Sequence, residues 1–260
     1  MPAHPAPARL ELDFAPWRLS GLVLAPLLND LAALQALGAA AHAAPYLAPP
    51  RAPVLYIKPR NTLAAAAAAM ALPPRVPALR MGASLALVIG RTACRVSAAQ
   101  ALAHVAGLAL VADLGVPHDS YYRPAVRCNA IDGSCRIAPP VPLRGLDPDA
   151  LTLQVDIDGV CRQQVRPGGR VRAAAALVAD VSEFMTLRPG DLLLLGVAAG
   201  APLAGAGQAV RLWAPGVGAI EFAIEAALEA ELEAELEAAI DPAIDPVIEP
   251  VIKTSRGPVP

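Results

Sequence analysis

The sequence predicts an α+β protein whose strands form mixed sheets, and three observations lead there. Apolar, strand-length segments recur at 53–61, 83–89, 108–115, 192–197, 209–214 and 219–225. Helix-like stretches are few, and they do not alternate with the strands as a doubly wound parallel sheet requires. Residues 151–165, LTLQVDIDGVCRQQV, alternate apolar with polar around an Asp158-Gly159 pair. That alternation is the pattern of a half-exposed hairpin.

Taken in order, residues 1–50 are rich in proline and alanine and hold one helical candidate, 29–41, in which Asn29 or Asp30 supplies the capping oxygen. PVLYIKPRN, 53–61, is a short strand closed by Lys58, Arg60 and Asn61, and this polar cluster at a strand end is a place for a site. Residues 64–69 are all alanine, which favours helix over other regular structure but offers little to pack or bind with. After the strand 83–89, a helix is expected over 97–107, opening on Ser97 and stopping at Gly107. The strand 108–115 then carries Asp113 near its exit. RPGGRVR, 166–172, sets Arg166, Arg170 and Arg172 beside two glycines, but no strand leads into it as in a phosphate-binding loop, so it reads as a solvated turn.

A helix over 173–191 runs into a Pro-Gly turn, LLLLGV follows as a central strand, and two last strands join through a turn at 216–218. From 225 the chain becomes low-complexity, first EAALEAELEAELEAA and then the proline-spaced IDPAIDPVIEPVI, which blocks helix and central strand alike. The expected layout is a poorly specified front section, 1–50, a folded domain, 51–225, and a mobile acidic and proline-spaced tail, 226–260.

The balance of 21 basic and 23 acidic residues, net charge -2, provides no field to recruit nucleic acid or an acidic membrane. Hydrophobic residues make up 55%, much of it alanine, and the apolar runs fall short of the roughly 18 residues of a spanning helix. The start, MPAHPAPARLELDF, lacks the basic-then-apolar order of a signal peptide. The expectation is a cytoplasmic protein acting on small molecules or protein partners. Cys94, Cys128, Cys135 and Cys161 form no disulfide framework and are expected as free thiols. His4, His42, His104 and His118 are scattered, so no zinc pairing is expected. Asp113 is the candidate that stands out. A carboxylate in an apolar strand must be ion-paired, hydrogen-bonded or metal-bound, because burying it alone is costly.

Five pieces, IKPRNT (57–62), ALVIGRTACRVS (86–97), VADLGVPHDSYYRPAV (111–126), Asp132-Gly133 and SEFMTLRPGD (182–191), resemble in order and spacing the fumarylacetoacetate hydrolase family. The resemblance runs from about 53 to 225. It is closest to the first half, or separately encoded first subunit, of the family's isomerase/decarboxylase branch in 4-hydroxyphenylacetate (homoprotocatechuate) degradation. It implies the β-rich, mixed-sheet fold of the family's C-terminal domain. The implied chemistry is that of a divalent metal, usually magnesium, which chelates a keto or enol dicarboxylic acid and stabilises the enolate as a Lewis acid. Hard oxygen ligands suit it: two from a Glu-x-Glu pair on one strand face and a third from an acid on a neighbouring strand.

Carried onto this chain, the Glu pair falls on Gly82 and Ser84, and only Asp113 remains as a ligand. The family's lysine before Asp-Gly falls on Asn129, its Gly-Thr-Pro falls on Gly196-Val197-Ala198, and its early Asn-Tyr-x-x-His motif is missing around 26–30. Lys58 and Asn61 persist. The resemblance therefore implies an isomerase/decarboxylase subunit that does not hold magnesium tightly itself and works beside a second family subunit or another copy. Lys58, Arg60, Asn61 and Arg123 are its candidate contacts to substrate carboxylates, Asp113 is a remnant metal ligand, and no catalytic residue is assigned. The alternative is a catalytically silent structural or regulatory partner.

Overall fold

The computed structural model describes residues 21–227 except 119, 123, 124 and 167, so Arg123 and the tail beyond 227 lie outside the described residues. In chain order the strands are β1 (Val23–Leu27), β2 (Val54–Lys58), β3 (Leu63–Ala65), β4 (Met70–Ala71), β5 (Ala78–Ile89), β6 (Val105–Gly115) and β7 (Cys135–Ile137). They continue as β8 (Val141–Pro142), β9 (Leu153–Ile157), β10 (Val160–Val165), β11 (Leu192–Leu194), β12 (Leu203–Gly205), β13 (Ala209–Ala214) and β14 (Gly218–Glu225). Four α-helices are described: α1 (Leu31–Ala36), α2 (Ala98–Ala101), α3 (Val126–Asn129) and α4 (Ala174–Phe184). None is long and apolar enough to cross a membrane.

The strands form two sheets. A nine-stranded sheet runs β2-β1-β11-β5-β6-β7-β3, with β12 added on β5 and β8 on β6; a five-stranded sheet runs β10-β9-β13-β14-β4. Most neighbours are antiparallel, but β1 runs parallel to β11 and β3 parallel to β7, so the class is α+β with mixed sheets.

Because side chains alternate across a strand, the long β5 and β6 serve two cores. Leu79, Met81, Ala83, Leu85 and Leu87 of β5 pack with Val155, Leu212 and Phe222 of the second sheet and with Leu177 and Val181 of α4. Each such fully buried side chain stabilises the fold by roughly 1.5–3 kcal/mol. The opposite faces contribute Ala86, Val88, Ala109 and Val111 to a smaller cluster with Val23, Ala25, Tyr56, Cys135, Leu192 and Leu194. This second face is the inside of a curl. Lys58, at the end of β2, lies 2.9 Å from Asp113 of β6, although four strand spacings separate β2 from β6 in the sheet order. In a flat sheet that separation is about 19 Å.

Several expectations change in the folded chain. Val23–Leu27, from the section that lacks a clear sequence pattern, is buried between β2 and β11. Pro26 is tolerated there because β1 pairs with β11 only through Val23 and Leu24, so the missing N–H falls beyond that ladder. The expected helix at 29–41 appears as α1 followed by a 3-10 turn, Gly38–His42, with the Asp30 carboxylate accepting from the Ala33 N–H at 2.8 Å. The alanine run is not helical. It enters β3 and then turns, because the buried Arg136 guanidinium takes up the carbonyls of Ala68 and Ala69 at 2.8 and 2.7 Å, which a helix would use internally. The helix after Ser97 stops at Ala101, passes through a 3-10 turn and gives way to β6 at Val105, so Gly107 is a strand residue. The expected helix over 173–191 ends at Phe184. The hairpin forms as expected, with Asp158 and Gly159 both at positive φ, 52° and 75°, as its two-residue turn requires.

Candidate functional site

Counting by twos along β5 from Ala86 and Val88, the residues on the inner face are Ser84, Gly82 and Arg80; on β6 they are Val111 and Asp113. Gly82 and Asp113 are direct cross-strand partners. The positions onto which the family's three metal ligands fall, Gly82, Ser84 and Asp113, therefore do come together.

Asp113 is engaged by two side chains. The Lys58 ammonium lies 2.9 Å from Asp113 Oδ1, both side chains fully buried, and Tyr56 Oη–H donates to Asp113 Oδ2. Lys58 Nζ also donates to the carbonyls of Asn129 and Leu114 at 2.6 and 3.2 Å and to Ser134 Oγ at 3.1 Å. Three acceptors thus match the three N–H donors of Lys58, and Asp113 Oδ1 is held beside it by charge without an aligned hydrogen bond. Burial, and next the negative charge of Asp113, push the Tyr56 phenol well above its ordinary pKa, so it stays a donor to the carboxylate; Arg80 opposes the shift. The Cys135 thiol is pushed up to about 12, again by burial first and Asp113 second.

These residues do not fit a chelated divalent metal. A Cβ on Gly82 would stand 2.4 Å from the Asp113 carbonyl oxygen and 3.0 and 3.1 Å from the Val197 methyls, so backbone and side chain fill the space of a first acid. Ser84 Oγ–H is turned onto the Leu85 carbonyl at 3.0 Å. Among the described residues no group of three or more His, Cys, Asp or Glu side chains gathers as a metal site.

Beside this buried cluster a cleft of about 390 Å³ opens, walled by Leu27, Val197 and Leu203 and by the polar side chains of Arg80, His118, Tyr121 and Asn129. The loop carrying His118 and Tyr121 is fastened by the Tyr121 N–H to Tyr46 Oη at 2.9 Å. Of the sequence candidates, Lys58 and Asp113 form the buried pair. Arg60 is exposed, and Asn61 Nδ2 donates to Ala130 O at 3.0 Å and Asp132 Oδ1 at 2.6 Å, away from the cleft lining. Sequence reasoning missed Tyr56 and Arg80. Their parity with Lys58 and with Gly82 and Ser84, respectively, was the available signal.

Fold and site together define a strand-rich α+β protein with a cleft beside the buried cluster of a curled mixed sheet. The chain belongs to the fumarylacetoacetate (FAA) hydrolase C-terminal family, whose profile matches residues 23–225. It is 36% identical over 203 residues to the 4-hydroxyphenylacetate degradation bifunctional isomerase/decarboxylase of Salmonella dublin, covering 78% of this chain and 47% of that protein. The chain thus spans about half the length of this curated relative. The crystal structure of 5-carboxymethyl-2-hydroxymuconate delta-isomerase from Mycobacterium smegmatis is similar at 26% identity and a TM-score of 0.65, covering 80% of each chain. Fumarylpyruvate hydrolase from Pseudomonas aeruginosa, solved in complex with Mn2+ and pyruvate, has a TM-score of 0.68 at 23% identity, covering 86% of this chain and 98% of that one. At that identity the likeness speaks for the fold alone.

Proposed function

We propose that this chain is the non-chelating half of an isomerase/decarboxylase of 4-hydroxyphenylacetate degradation. It acts beside a family member that carries the intact acids, in the conversion of 5-oxopent-3-ene-1,2,5-tricarboxylate to 2-oxohept-3-ene-1,7-dioate. The observation that carries this reading is Gly82, where the family's first acid position has no room for a side chain while the strands around it keep their pairing. The likeness to one half of the bifunctional relative supports it. In this reading Lys58 acts indirectly, as the counter-ion of Asp113, and Arg60, which is exposed, and Arg123, outside the described residues, are the contacts to substrate carboxylates. Calorimetry with magnesium on the isolated chain, and decarboxylation assayed with and without a partner bearing Glu-x-Glu, test it. The expected outcome is no tight magnesium binding, no turnover alone and faster turnover by the partner. Turnover by the lone chain, or a partner indifferent to it, sinks the proposal.

A second reading, a silent structural or regulatory subunit, is favoured by one surface. Leu55, Ile57, Pro59, Ala125 and Val126 line an apolar hollow of about 440 Å³, with Ile57 54% and Val126 66% exposed. In that case the chain binds the partner without changing its turnover, and Ile57→Glu weakens the association in light scattering.

A further inference from the structure

We infer that the cleft beside β5 is a carboxylate-binding site in which the Arg80 guanidinium does the work of a cation without a metal. The inference concerns binding alone and holds whether or not the chain takes part in decarboxylation.

Arg80 stands two residues before Gly82 on the inner face of β5, and its side chain lines the cleft. Its Nε is buried and has no hydrogen-bond acceptor, and among the described residues the guanidinium joins no ion pair. The nearest inward-facing acid on the paired strand, Asp113, is committed to Lys58 and Tyr56. Leaving the Nε–H donor out of water without an acceptor is costly, so that edge of the half-buried guanidinium is open to a ligand.

A second open group lies beside it. Asn129 Oδ1 is buried without a donor, and it stands 2.9 Å from where a Cβ on Gly115 would be, with Arg80 Nη2 3.7 Å from the same point. The Asn129 side-chain amide presents either an acceptor or, rotated, a donor to whatever lies next to Arg80. The absent side chain at Gly115 leaves the space that both heads share.

The chemistry follows from these two groups. A guanidinium presents parallel N–H donors that match the two oxygens of a carboxylate, and such charge-assisted pairs are strong where apolar walls exclude water. Leu27, Val197 and Leu203 supply the apolar part of the cleft wall beside Arg80. The cleft volume, about 390 Å³, suits a keto acid or dicarboxylate of a few carbons.

The test is titration of the full chain with oxalate in EDTA, followed by calorimetry and by the 15N-edited NMR signal of the Arg80 Nε–H. Oxalate is expected to bind at one site and shift that signal, with sulfate binding more weakly. Arg80→Gln weakens binding tenfold or more at an unchanged circular dichroism spectrum, and Arg80→Lys weakens it less, keeping the charge but not the fork. If Arg80→Gln fails to fold, the Nε–H signal of the natural chain decides alone. An unmoved signal, equal binding by Arg80→Gln, sulfate binding as tight as oxalate, or binding that appears only when magnesium replaces EDTA overturns the inference.

Discussion

At Gly82 the room for a side chain is taken from two directions, by the Asp113 carbonyl at 2.4 Å and the Val197 methyls at 3.0 and 3.1 Å. Forcing even one methyl into that gap displaces backbone, and Gly82→Ala is expected to cost about 1–3 kcal/mol. The measurement is a lower urea midpoint at an unchanged slope. Adding Val197→Ala relieves the methyl contacts but not the carbonyl, so the double variant recovers part of the loss. How much of the site was legible follows from such residues. That Asp113 needed a partner was plain from one carboxylate in an apolar run. Which partner it has was not, because Tyr56 and Lys58 come from a strand more than fifty residues away, the Tyr56 contact spanning 57. Only the curl of the sheet brings them together.

Among elements, the crossing from β3 to β4 carries the chain from one sheet to the other, and one side chain holds it. Arg136 of β7 donates to Ala68 O, Ala69 O and Gly133 O and stacks 4.5 Å over the Phe222 ring of β14. Replacing it by methionine fills similar volume but strands the carbonyls of Ala68 and Ala69. At about 1–3 kcal/mol for each buried acceptor left unmet, Arg136→Met is expected to destabilise the fold by about 3 kcal/mol or more. Denaturant unfolding reads the loss, and amide exchange locates it in residues 63–71. This crossing also marks where local signals fail. Alanine propensity favours helix, but a guanidinium from seventy residues along competes for the same carbonyls and wins. The β9–β10 hairpin is the opposite case. Its alternation and its Asp-Gly turn are local, and both survive into the structure.

Across the whole molecule, the buried cluster ties stability to alkaline pH. Cys135 is raised from 9.0 to about 12 and Tyr56 is raised above 10.0, both by burial first. The unfolded chain loses the Cys135 proton above pH 9 and the Tyr56 proton above pH 10 while the native one keeps both, so this stability is full below pH 9 and falls as pH rises. Each group contributes a slope of about 1.4 kcal/mol per pH unit within its window, for Cys135 from pH 9 to 12. Melting temperatures are expected to drop steeply above pH 9, and Cys135→Ala flattens the early part of that drop. The α+β class and the mixed sheets were readable from segment lengths and their order. The strand order was not, because it rests on pairings such as Val23 with Leu192 that no local pattern encodes. That pairing has a bearing on synthesis. As the chain leaves the ribosome, β1 and β5 emerge early, but β11, the strand between them, comes more than a hundred residues after β5. Until it arrives, two apolar strand edges stand open to other nascent chains, which makes folding slow and places the hazard of aggregation before residue 194 rather than after it.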